Sequence, residues 1–361
     1  MAVPTRSPVR RWLRRLFKTL AVALVLALVA GLIYETLARR RSARDFPAPG
    51  ELVDLGTRRI HLDCRGQGTP IVVFEAGLDT YGSLSWSPVH DSIAATTRAC
   101  AYDRAGVMWS DPSPDLRSGI AVAQDLHAAL AASGESGPFV LVGHSLGGPY
   151  SMIFTKYFPD QVAGLVFVDA SHPDQFHRFA EITGEVAEPP LGVLRVLRAL
   201  APTGLPRLLS GLTRNAAIPD SINRTLGAYF STSLGPMIDE AASLEATVTE
   251  AGTFRTLGNR PLVVLTAMQP LDSAGLSAMK MTAEQGVQFR QVWKTLHIDQ
   301  ANWSSVSRHE LYPEAGHYIQ IDRPDAVIRA VRDVVSAIRT GTPLVPVAAA
   351  DSGNASPQGA M

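Results

Sequence analysis

The sequence lacks any excess of charge, because 33 lysine and arginine residues balance 33 acidic residues over a chain of 361. A protein that binds mainly DNA or RNA needs a basic surplus to neutralise phosphates. The balanced composition therefore argues against nucleic acid as a main partner. Repeats of about 20 to 50 residues are also missing. The length suits one large globular domain or two modest ones.

Cysteine is scarce, and the chain has only Cys64 and Cys100. Neither is followed by a second metal-type ligand at a useful spacing, so we expect no zinc site. Two buried free thiols would behave as small hydrophobic groups, whereas export from the cytoplasm would allow a disulfide. These observations leave both states open.

Charge is also absent from residues 19–34, which are mostly alanine, valine and leucine. A helix of this length measures about 24 Å, less than the hydrocarbon core of about 30 Å. Lys18 can extend its amine to the interface, and flanking apolar residues lengthen the segment to 16–37. The basic residues that precede it are Arg6, Arg10, Arg11, Arg14, Arg15 and Lys18. We therefore predict a basic N-terminus and membrane anchor over residues 1–45.

Two other interpretations of this segment have less support. A cleaved signal peptide needs small residues at −3 and −1. A cut after Ala30 places Leu28 at −3, and a cut after Ala38 leaves an arginine run behind. A soluble amphipathic helix is disfavoured, because the segment is apolar on every face. An uncleaved anchor is preferred. The distribution of basic residues then places the rest of the chain outside the cytoplasm, and secretion after cleavage is the alternative.

Short β-rich segments alternate with helical ones between residues 50 and 340. The predicted strands are 51–55, 59–64, 71–75, 98–102, 139–143, 165–169, 261–266 and 308–312. The predicted helices are 120–132, one that begins near residue 145, and 325–338. Continuous apolar strands separated by helices indicate a parallel sheet covered on both faces.

Residues 171–260 interrupt this alternation with several helical segments rich in leucine and alanine. An insertion of that length between two core strands is typical of a cap domain or a functional loop. We therefore predict a core of 46–170 and 261–340 and a helical cap of 171–260. Residues 341–361 are rich in alanine, proline and glycine without an apolar face, which predicts a disordered tail.

The segment FVLVGHSLGG, residues 139–148, joins an apolar strand to a helix. Gly-x-Ser-x-Gly in this setting is the signature of a nucleophile elbow. Gly143 and Gly147 lack a Cβ atom, so strand and helix can approach closely and lift Ser145 above the sheet edge. The backbone N–H of Leu146 then points to where an oxyanion would form. Ser145 is the predicted nucleophile, with a plain turn serine as the simpler reading.

A nucleophilic serine needs a base, and the base needs an orienting carboxylate. Among the nine histidines, His317 lies in PEAGHYIQIDRP, between the last strand and the last helix. The chain order of serine, acid and histidine places the base at that point. His144 is adjacent to Ser145 and is expected to be structural.

Five stretches together resemble the alpha/beta-hydrolase superfamily from about residue 50 to 340. They are EAGL at 75–78, YDRAGVMWSDPSP at 102–114, LVGHSLGG at 141–148, LVFVDASHPDQ at 165–175 and GHYIQIDRPDAV at 316–327. The resemblance implies an eight-stranded sheet with one antiparallel edge pairing, Ser145 as nucleophile and His317 as base. It also implies a second oxyanion donor, which is the backbone N–H of Leu78 here.

The acid of the triad is less well specified than the other two members. Many relatives carry it shortly after the seventh strand, but TAMQPLDS lacks their glycine, and Asp272 comes late. Other relatives carry it at the end of the sixth strand, where LVFVD ends on Asp169, the preferred acid. Asp272 and Asp174 remain alternatives, and Asp169 could instead cap a turn. Ala76 and Met108 also depart from the family pattern, without touching the reacting groups.

The sheet order implied by the resemblance makes the second and fourth strands neighbours. Cys64 and Cys100 would then lie on adjacent strands, and a disulfide becomes feasible. The register decides, because a slip of one residue sends the two side chains to opposite faces.

These residues predict a serine hydrolase that needs no metal or organic cofactor. Apolar cap residues could line an acyl pocket, which favours a small to medium ester as substrate. They are Leu191, Leu194, Leu197, Leu200, Leu205, Leu208, Leu209, Phe176, Phe179, Tyr229 and Phe230. A hydrolase of amides, peptides or carbon–carbon bonds with the same triad is one alternative, and a pocket carboxylate would favour a peptidase. A membrane-tethered binding protein on an inactive hydrolase fold is the other.

Overall fold

An eight-stranded sheet forms the centre of the computed structural model, which describes residues 8–114, 117–184 and 191–344. The strands are β1 (Glu51–Asp54), β2 (Arg59–Arg65), β3 (Ile71–Glu75), β4 (Ala99–Tyr102), β5 (Phe139–His144), β6 (Val162–Val168), β7 (Leu262–Ala267) and β8 (Ser307–Tyr312). Their order across the sheet is β1-β2-β4-β3-β5-β6-β7-β8. The predicted eight-stranded, mostly parallel sheet is confirmed.

Strand β2 runs antiparallel to both of its neighbours, β1 and β4. The pairs from β4–β3 through β7–β8 are parallel. The expectation of a single antiparallel edge pairing was wrong, because the reversed strand lies one position inside the edge and has a neighbour on each side. The register of β2 against β4 pairs Cys64 with Cys100, and the structure joins them in a disulfide.

Helices cover both faces of the sheet. In chain order they are α1 (Pro8–Asp45), α2 (His90–Ala94), α3 (Gly119–Ala132), α4 (Gly147–Tyr157), α5 (Gln175–Thr183), α6 (Leu191–Leu200), α7 (Leu205–Leu209), α8 (Asp220–Ala242), α9 (Leu244–Ala251), α10 (Ser273–Ala278), α11 (Ala283–Ala301), α12 (Ile319–Asp322) and α13 (Pro324–Thr340). Helices α5 to α9 lie between β6 and β7, where the sequence predicts a cap. Of the predicted tail, residues 345–361 lie outside the described residues.

The core consists of two apolar layers, one on each face of the sheet. Successive residues of β5 alternate between them, with Phe139 and Leu141 in one layer and Val140 and Val142 in the other. Every residue of β5 is buried, which explains why the sequence shows a continuous apolar run there. Each such side chain contributes about 1.5–3 kcal/mol by its burial, so the layers hold the strand ends in fixed positions.

Helix α1 covers 38 residues, and its two halves have different surroundings. Residues 9–30 are exposed throughout, and the helix is long and apolar enough to cross a membrane by length and composition. From Gly31 onward the helix packs against the cap. There the Glu35 side chain is 2% exposed and accepts hydrogen bonds from Arg207 and Ser231.

Candidate active site

Ser145 lies in the turn between β5 and α4, with a backbone φ of +52°. A residue other than glycine is strained at this φ, and it keeps the conformation only when the surrounding structure holds the backbone there. A Cβ atom on Gly147 would lie 2.1 Å from the carbonyl oxygen of Glu75, and one on Gly143 would lie 2.5 Å from that of Gly147. The two glycines therefore permit the close approach that holds the serine at the sheet edge. The helix begins at Gly147, two residues later than the sequence suggests.

His317 lies in the turn after β8, and its Nδ1 is 2.7 Å from Oδ2 of Asp169. Asp169 directly follows β6, with a φ of +46°. Its Oδ1 accepts hydrogen bonds from the backbone N–H of Ala267 at 2.8 Å and the indole N–H of Trp293 at 2.7 Å. Because Oδ2 acts as an acceptor, the Nδ1–H group of His317 donates to it, so that Nε2 has the lone pair in the neutral form of the ring.

The Asp169 carboxylate is 1% exposed. Burial by itself raises the pKa of Asp169, but the hydrogen bond and charge of His317 outweigh burial, so the pKa lies below its usual range. The group therefore stays ionised. An ionised, buried carboxylate can orient an imidazole and stabilise its charged form.

One cavity of about 340 Å³ is lined by Ser145, Asp169 and His317 together with Leu78 and Leu146. Within the described ranges no hydrogen bond joins the Ser145 hydroxyl to His317, and the N–H groups of Leu78 and Leu146 have no acceptor. Serine–histidine hydrogen bonds are often long without substrate and tighten when it binds. Two free amides beside a serine hydroxyl can hold an oxyanion.

The two alternative acids lie elsewhere. Asp272 caps the start of α10, where its Oδ1 accepts from the Gly275 N–H at 2.7 Å. Asp174 pairs with Arg255 at 2.6 Å. The fold thus places Asp169, and neither of these two carboxylates, against His317.

His144 is buried directly beside the candidate base. Its Nε2–H donates to the carbonyl oxygen of His317 at 2.9 Å. Burial lowers the pKa of His144 to about 3, and the charge of His317 acts in the same direction. The ring is therefore neutral, and it supports the backbone of the turn that carries the base.

A buried ionic cluster beneath the loop after β3 is not indicated by any local pattern in the sequence. Arg104 donates to the carbonyl oxygens of Ala76 at 2.8 Å and Gly77 at 2.7 Å. Its guanidinium also pairs with Glu75 on β3 and with Glu240 on α8, each at 2.8 Å. The partner on α8 is 136 residues away in the chain, which explains why sequence reasoning missed it. The cluster links the candidate oxyanion loop to a cap helix.

The wall of the cavity comes largely from helices that the sequence analysis did not identify. Besides the five residues named above, the lining consists of Ser171, Gln175, Phe179, Leu244, Leu271, Met279, Phe289, Arg290 and Trp293. The last three lie on α11, which is only weakly amphipathic and so shows little helical periodicity. Of the cap residues proposed as pocket lining, Phe179 lies there, whereas Leu208 is 66% exposed on the surface.

The described residues include one group with the spacing of metal ligands, formed by Cys64, Cys100 and Glu135. Its two sulfur atoms are joined in the disulfide, so they are not thiolate ligands. In the cavity, Nδ1 of His317 and Oδ2 of Asp169 are hydrogen-bonded to each other.

Comparisons with known proteins agree with this fold. A family model described as alpha/beta hydrolase fold matches residues 69–204. An uncharacterized protein of Schizosaccharomyces pombe is 33% identical over 155 residues, which are 34% of this chain and 28% of that protein. The chain spans less than half the length of the first curated relatives that it matches.

Two solved structures cover most of the chain at low identity. A thermophilic esterase from Thermogutta terrifontis is 18% identical with a TM-score of 0.54, and the match covers 80% of this chain and 98% of that one. A probable hydrolytic enzyme from Pseudomonas aeruginosa is 17% identical with a TM-score of 0.60, over 81% of this chain and 95% of that one. Identities of this size show a shared fold. Taken with the sheet order and the matched family model, they show that the chain has the alpha/beta-hydrolase fold.

Proposed function

We propose that the protein is a serine hydrolase that cleaves an acyl bond, most readily that of a carboxylic ester. Ser145 is the nucleophile, His317 the base and Asp169 the orienting acid. The observation that carries the proposal is the 2.7 Å contact between His317 and Asp169 at the cavity that also contains Ser145. A serine on a strained turn and an oriented imidazole at one cavity are the groups that acyl transfer requires.

In this mechanism His317 Nε2 accepts the Ser145 proton as the hydroxyl oxygen attacks the carbonyl carbon. Asp169 stabilises the imidazolium that forms. The N–H groups of Leu78 and Leu146 hold the oxyanion, and a donor of this kind contributes about 3 kcal/mol. His317 then gives the proton to the leaving alcohol, and water releases the acyl group by the same route. No step requires a metal or an organic cofactor.

The lining of the cavity supports an ester in preference to a peptide. Asp169 is the sole carboxylate among the described lining residues, and His317 already engages it. A peptidase that recognises a substrate amine would need a second, free carboxylate. The apolar wall, with Phe179 and Phe289, suits an acyl or alcohol group of small to medium size.

The test combines a covalent probe with turnover. We expect a fluorophosphonate probe to label the wild type and p-nitrophenyl butyrate to be hydrolysed, and Ser145→Ala to abolish both. Far-UV circular dichroism confirms that the variant is folded. If the folded wild type neither reacts with the probe nor turns over any ester, beside a serine hydrolase that does both, the non-catalytic binding protein is the better proposal.

We also infer that α1 is an uncleaved membrane anchor and that the catalytic domain lies outside the cytoplasm. The exposed apolar half of α1 supports the anchor, and the Cys64–Cys100 disulfide supports an oxidising compartment. A cut after Ala38 would remove Glu35, the carboxylate that pairs with Arg207. N-terminal sequencing of the protein from carbonate-washed membranes tests this, and a mature chain that starts after residue 30 contradicts it.

A further inference from the structure

Arg290 brings a positive charge without a carboxylate partner into the cavity that holds Ser145. It lies on α11 and lines the cavity. Its Nη1 donates to the carbonyl oxygen of Ala267 at 3.3 Å, and its Nε is buried with no hydrogen-bond partner. Across the described ranges no carboxylate lies within ion-pair distance of it. The guanidinium therefore keeps most of its hydrogen-bonding capacity free.

The protein compensates this charge only in part, through the face of the Phe289 ring, whose centroid lies 5.6 Å from the guanidinium carbon, and through the charge of Asp169. Burial lowers the pKa of Arg290, and the charge of Asp169 is the interaction that opposes this shift. Both oxygens of Asp169 are already engaged by His317, Ala267 and Trp293. By contrast, the buried Arg104 has two carboxylate partners. A half-buried charge without a carboxylate partner is unfavourable, so a ligand that supplies an anion would bind favourably there.

We infer that Arg290 binds a carboxylate of the substrate, which makes the substrate an ester with an anionic group on its acyl or its alcohol part. The inference rests on the proposed ester hydrolysis at Ser145 and adds the substrate class. A guanidinium can donate two parallel N–H bonds to a carboxylate. The neighbouring Phe289 and Met279 are apolar, and a low local dielectric strengthens such a pair.

The experiment compares matched esters on the full-length enzyme. One arm places the carboxylate on the acyl part, with p-nitrophenyl hemiesters of glutaric, adipic and pimelic acid against the pentanoate, hexanoate and heptanoate. The other arm places it on the alcohol part, with 4-carboxyphenyl butyrate against phenyl butyrate. For each pair the readout is the ratio of kcat/KM for the anionic ester to that for the neutral one.

We expect the wild type to favour the anionic ester in at least one arm, and Arg290→Gln to lower that ratio by about 10- to 100-fold. Arg290→Lys should fall between the two, because an ammonium keeps the charge but loses the planar fork. Lys294→Gln removes the same charge from the next turn of α11, outside the cavity lining, and should leave the ratio at its wild-type value. Because the readout is a ratio, a general loss of fold does not imitate the effect.

Two results would overturn the inference in distinguishable ways. If neutral esters are hydrolysed and Arg290→Gln leaves the ratio unchanged in both arms, the substrate class is wrong while the hydrolase proposal stands. If no ester is hydrolysed and Ser145 does not react with fluorophosphonate, both proposals are wrong.

A second inference comes independently from the end of α1. The face of α1 that contacts the cap is made of small or polar residues, among them Gly31, Glu35 and Ser42. Up to Leu37 the exposed side of this stretch is mostly apolar, with Leu32 at 47% exposure and Leu37 at 59%, and arginines follow from Arg39 onward. This arrangement is the reverse of a helix at a water-facing surface, and it is typical of a helix whose outer face contacts lipid.

The contacts of α1 also determine how deep the cap lies relative to the membrane surface. Gly31 packs against the 3₁₀ turn Ala201–Thr203, because a Cβ on Gly31 would lie 2.6 Å from the Thr203 carbonyl oxygen. Gly31 is six residues before Leu37, the last residue of the predicted span 16–37, which is a rise of about 9 Å. If the hydrocarbon core ends near Leu37, this turn lies below the membrane surface.

The cap segment at this level carries exposed apolar side chains. Ten large hydrophobic residues outside α1 are exposed among the described residues, and five of them lie within residues 193–209. These five are Val193, Val196, Leu205, Leu208 and Leu209. They are on α6 and α7, on either side of the turn that touches α1.

We propose that α6, the turn and α7 lie in the leaflet where α1 ends, so that the cap is embedded in the lipid interface. This rests on the inferred anchor. Apolar side chains at the end of a spanning helix enter the interface by hydrophobic burial. We assign lipid as the partner of this surface, because α1 runs past it with apolar residues facing outward.

The two native cysteines are joined, so one introduced cysteine can be labelled with an NBD fluorophore in the full chain. We would label Leu208→Cys, Leu24→Cys in the exposed half of α1, and Val287→Cys, an exposed apolar control on α11. The proteins are placed in phosphatidylcholine liposomes. Spin-labelled lipids report contact with the bilayer, and iodide reports contact with water.

We expect the labels at 24 and 208 to be quenched by spin-labelled lipid and to be several-fold less accessible to iodide than the label at 287. A label at 208 that behaves like 287, while 24 is in lipid, overturns the embedded cap and leaves the anchor intact. A label at 24 in water overturns the anchor, and the embedded cap with it.

Discussion

At the scale of single residues, the orientation of the His317 imidazole depends on Asp169. The Asp169 carboxylate accepts hydrogen bonds from His317, from the Ala267 N–H and from the Trp293 indole. Replacement by asparagine puts an N–H₂ group among these donors and favours the wrong tautomer of His317. We expect Asp169→Asn to lower kcat on the order of 10³- to 10⁴-fold, whereas Asp272→Asn, at the α10 cap, should keep the wild-type kcat. Steady-state hydrolysis of p-nitrophenyl butyrate measures both, and the opposite pattern would move the acid to Asp272.

Two buried histidines make stability depend on pH. Burial lowers the pKa of His144 to about 3 and that of His297 to about 4, from 6.5 in an unfolded chain. Because both folded-state values are depressed, the unfolded chain binds more protons below pH 6.5. The contribution of these two histidines to the unfolding free energy is therefore fully present above about pH 6.5. It is lost toward pH 4, by up to about 1.4 kcal/mol per pH unit for each histidine.

The test is urea unfolding at pH 7, 6 and 5. We expect His297→Gln to show a shallower loss of unfolding free energy than the wild type. His177→Gln, which replaces a histidine with 82% side-chain exposure, should show the wild-type slope. Equal slopes for all three proteins would mean that the buried His297 does not cause the loss of unfolding free energy at acidic pH.

At the scale of elements, the pair of Arg104 with Glu240 connects the loop after β3 to α8. Glu240 is fully buried and pairs with Arg117 as well. We expect Glu240→Gln to lower the unfolding free energy by about 3–5 kcal/mol, because it leaves buried cations under-compensated. Asp239→Asn breaks an exposed pair with Arg198 and should cost less than about 1 kcal/mol. Equal losses in urea unfolding would contradict this reading.

At the scale of the whole molecule, α1 packs against the helices of residues 191–242 through Glu35 and is also a candidate anchor. We expect a variant without residues 1–45 to lose the Glu35 pair with Arg207 and to be cleaved several-fold faster within residues 191–214 in limited proteolysis. A variant without residues 1–25 keeps these contacts and should resist as the full chain does in detergent. Identical digestion of both variants would show that α1 does not stabilise the cap.

The sequence was sufficient where a feature depends on neighbouring residues. The strand β3 is predicted to the residue, because a buried parallel strand is a continuous apolar run bounded by turns. The elbow around Ser145 is equally local, since close packing requires glycine at 143 and 147. The start of β6 at Val162 was missed by three residues, because Val-Ala-Gly has little strand character of its own.

Features built from distant residues were decided by the tertiary structure. Two contacts join elements that are far apart in the chain: that of His317 with Asp169 and that of Arg104 with Glu240. The position of Arg290 in the cavity of Ser145 likewise depends on distant elements. The sequence by itself determined the fold class and the candidate nucleophile and base, because these follow from local periodicity and spacing. Only the packed structure shows which of the three aspartates lies against His317, because an ion pair depends on the distance between strand ends, which no local pattern encodes.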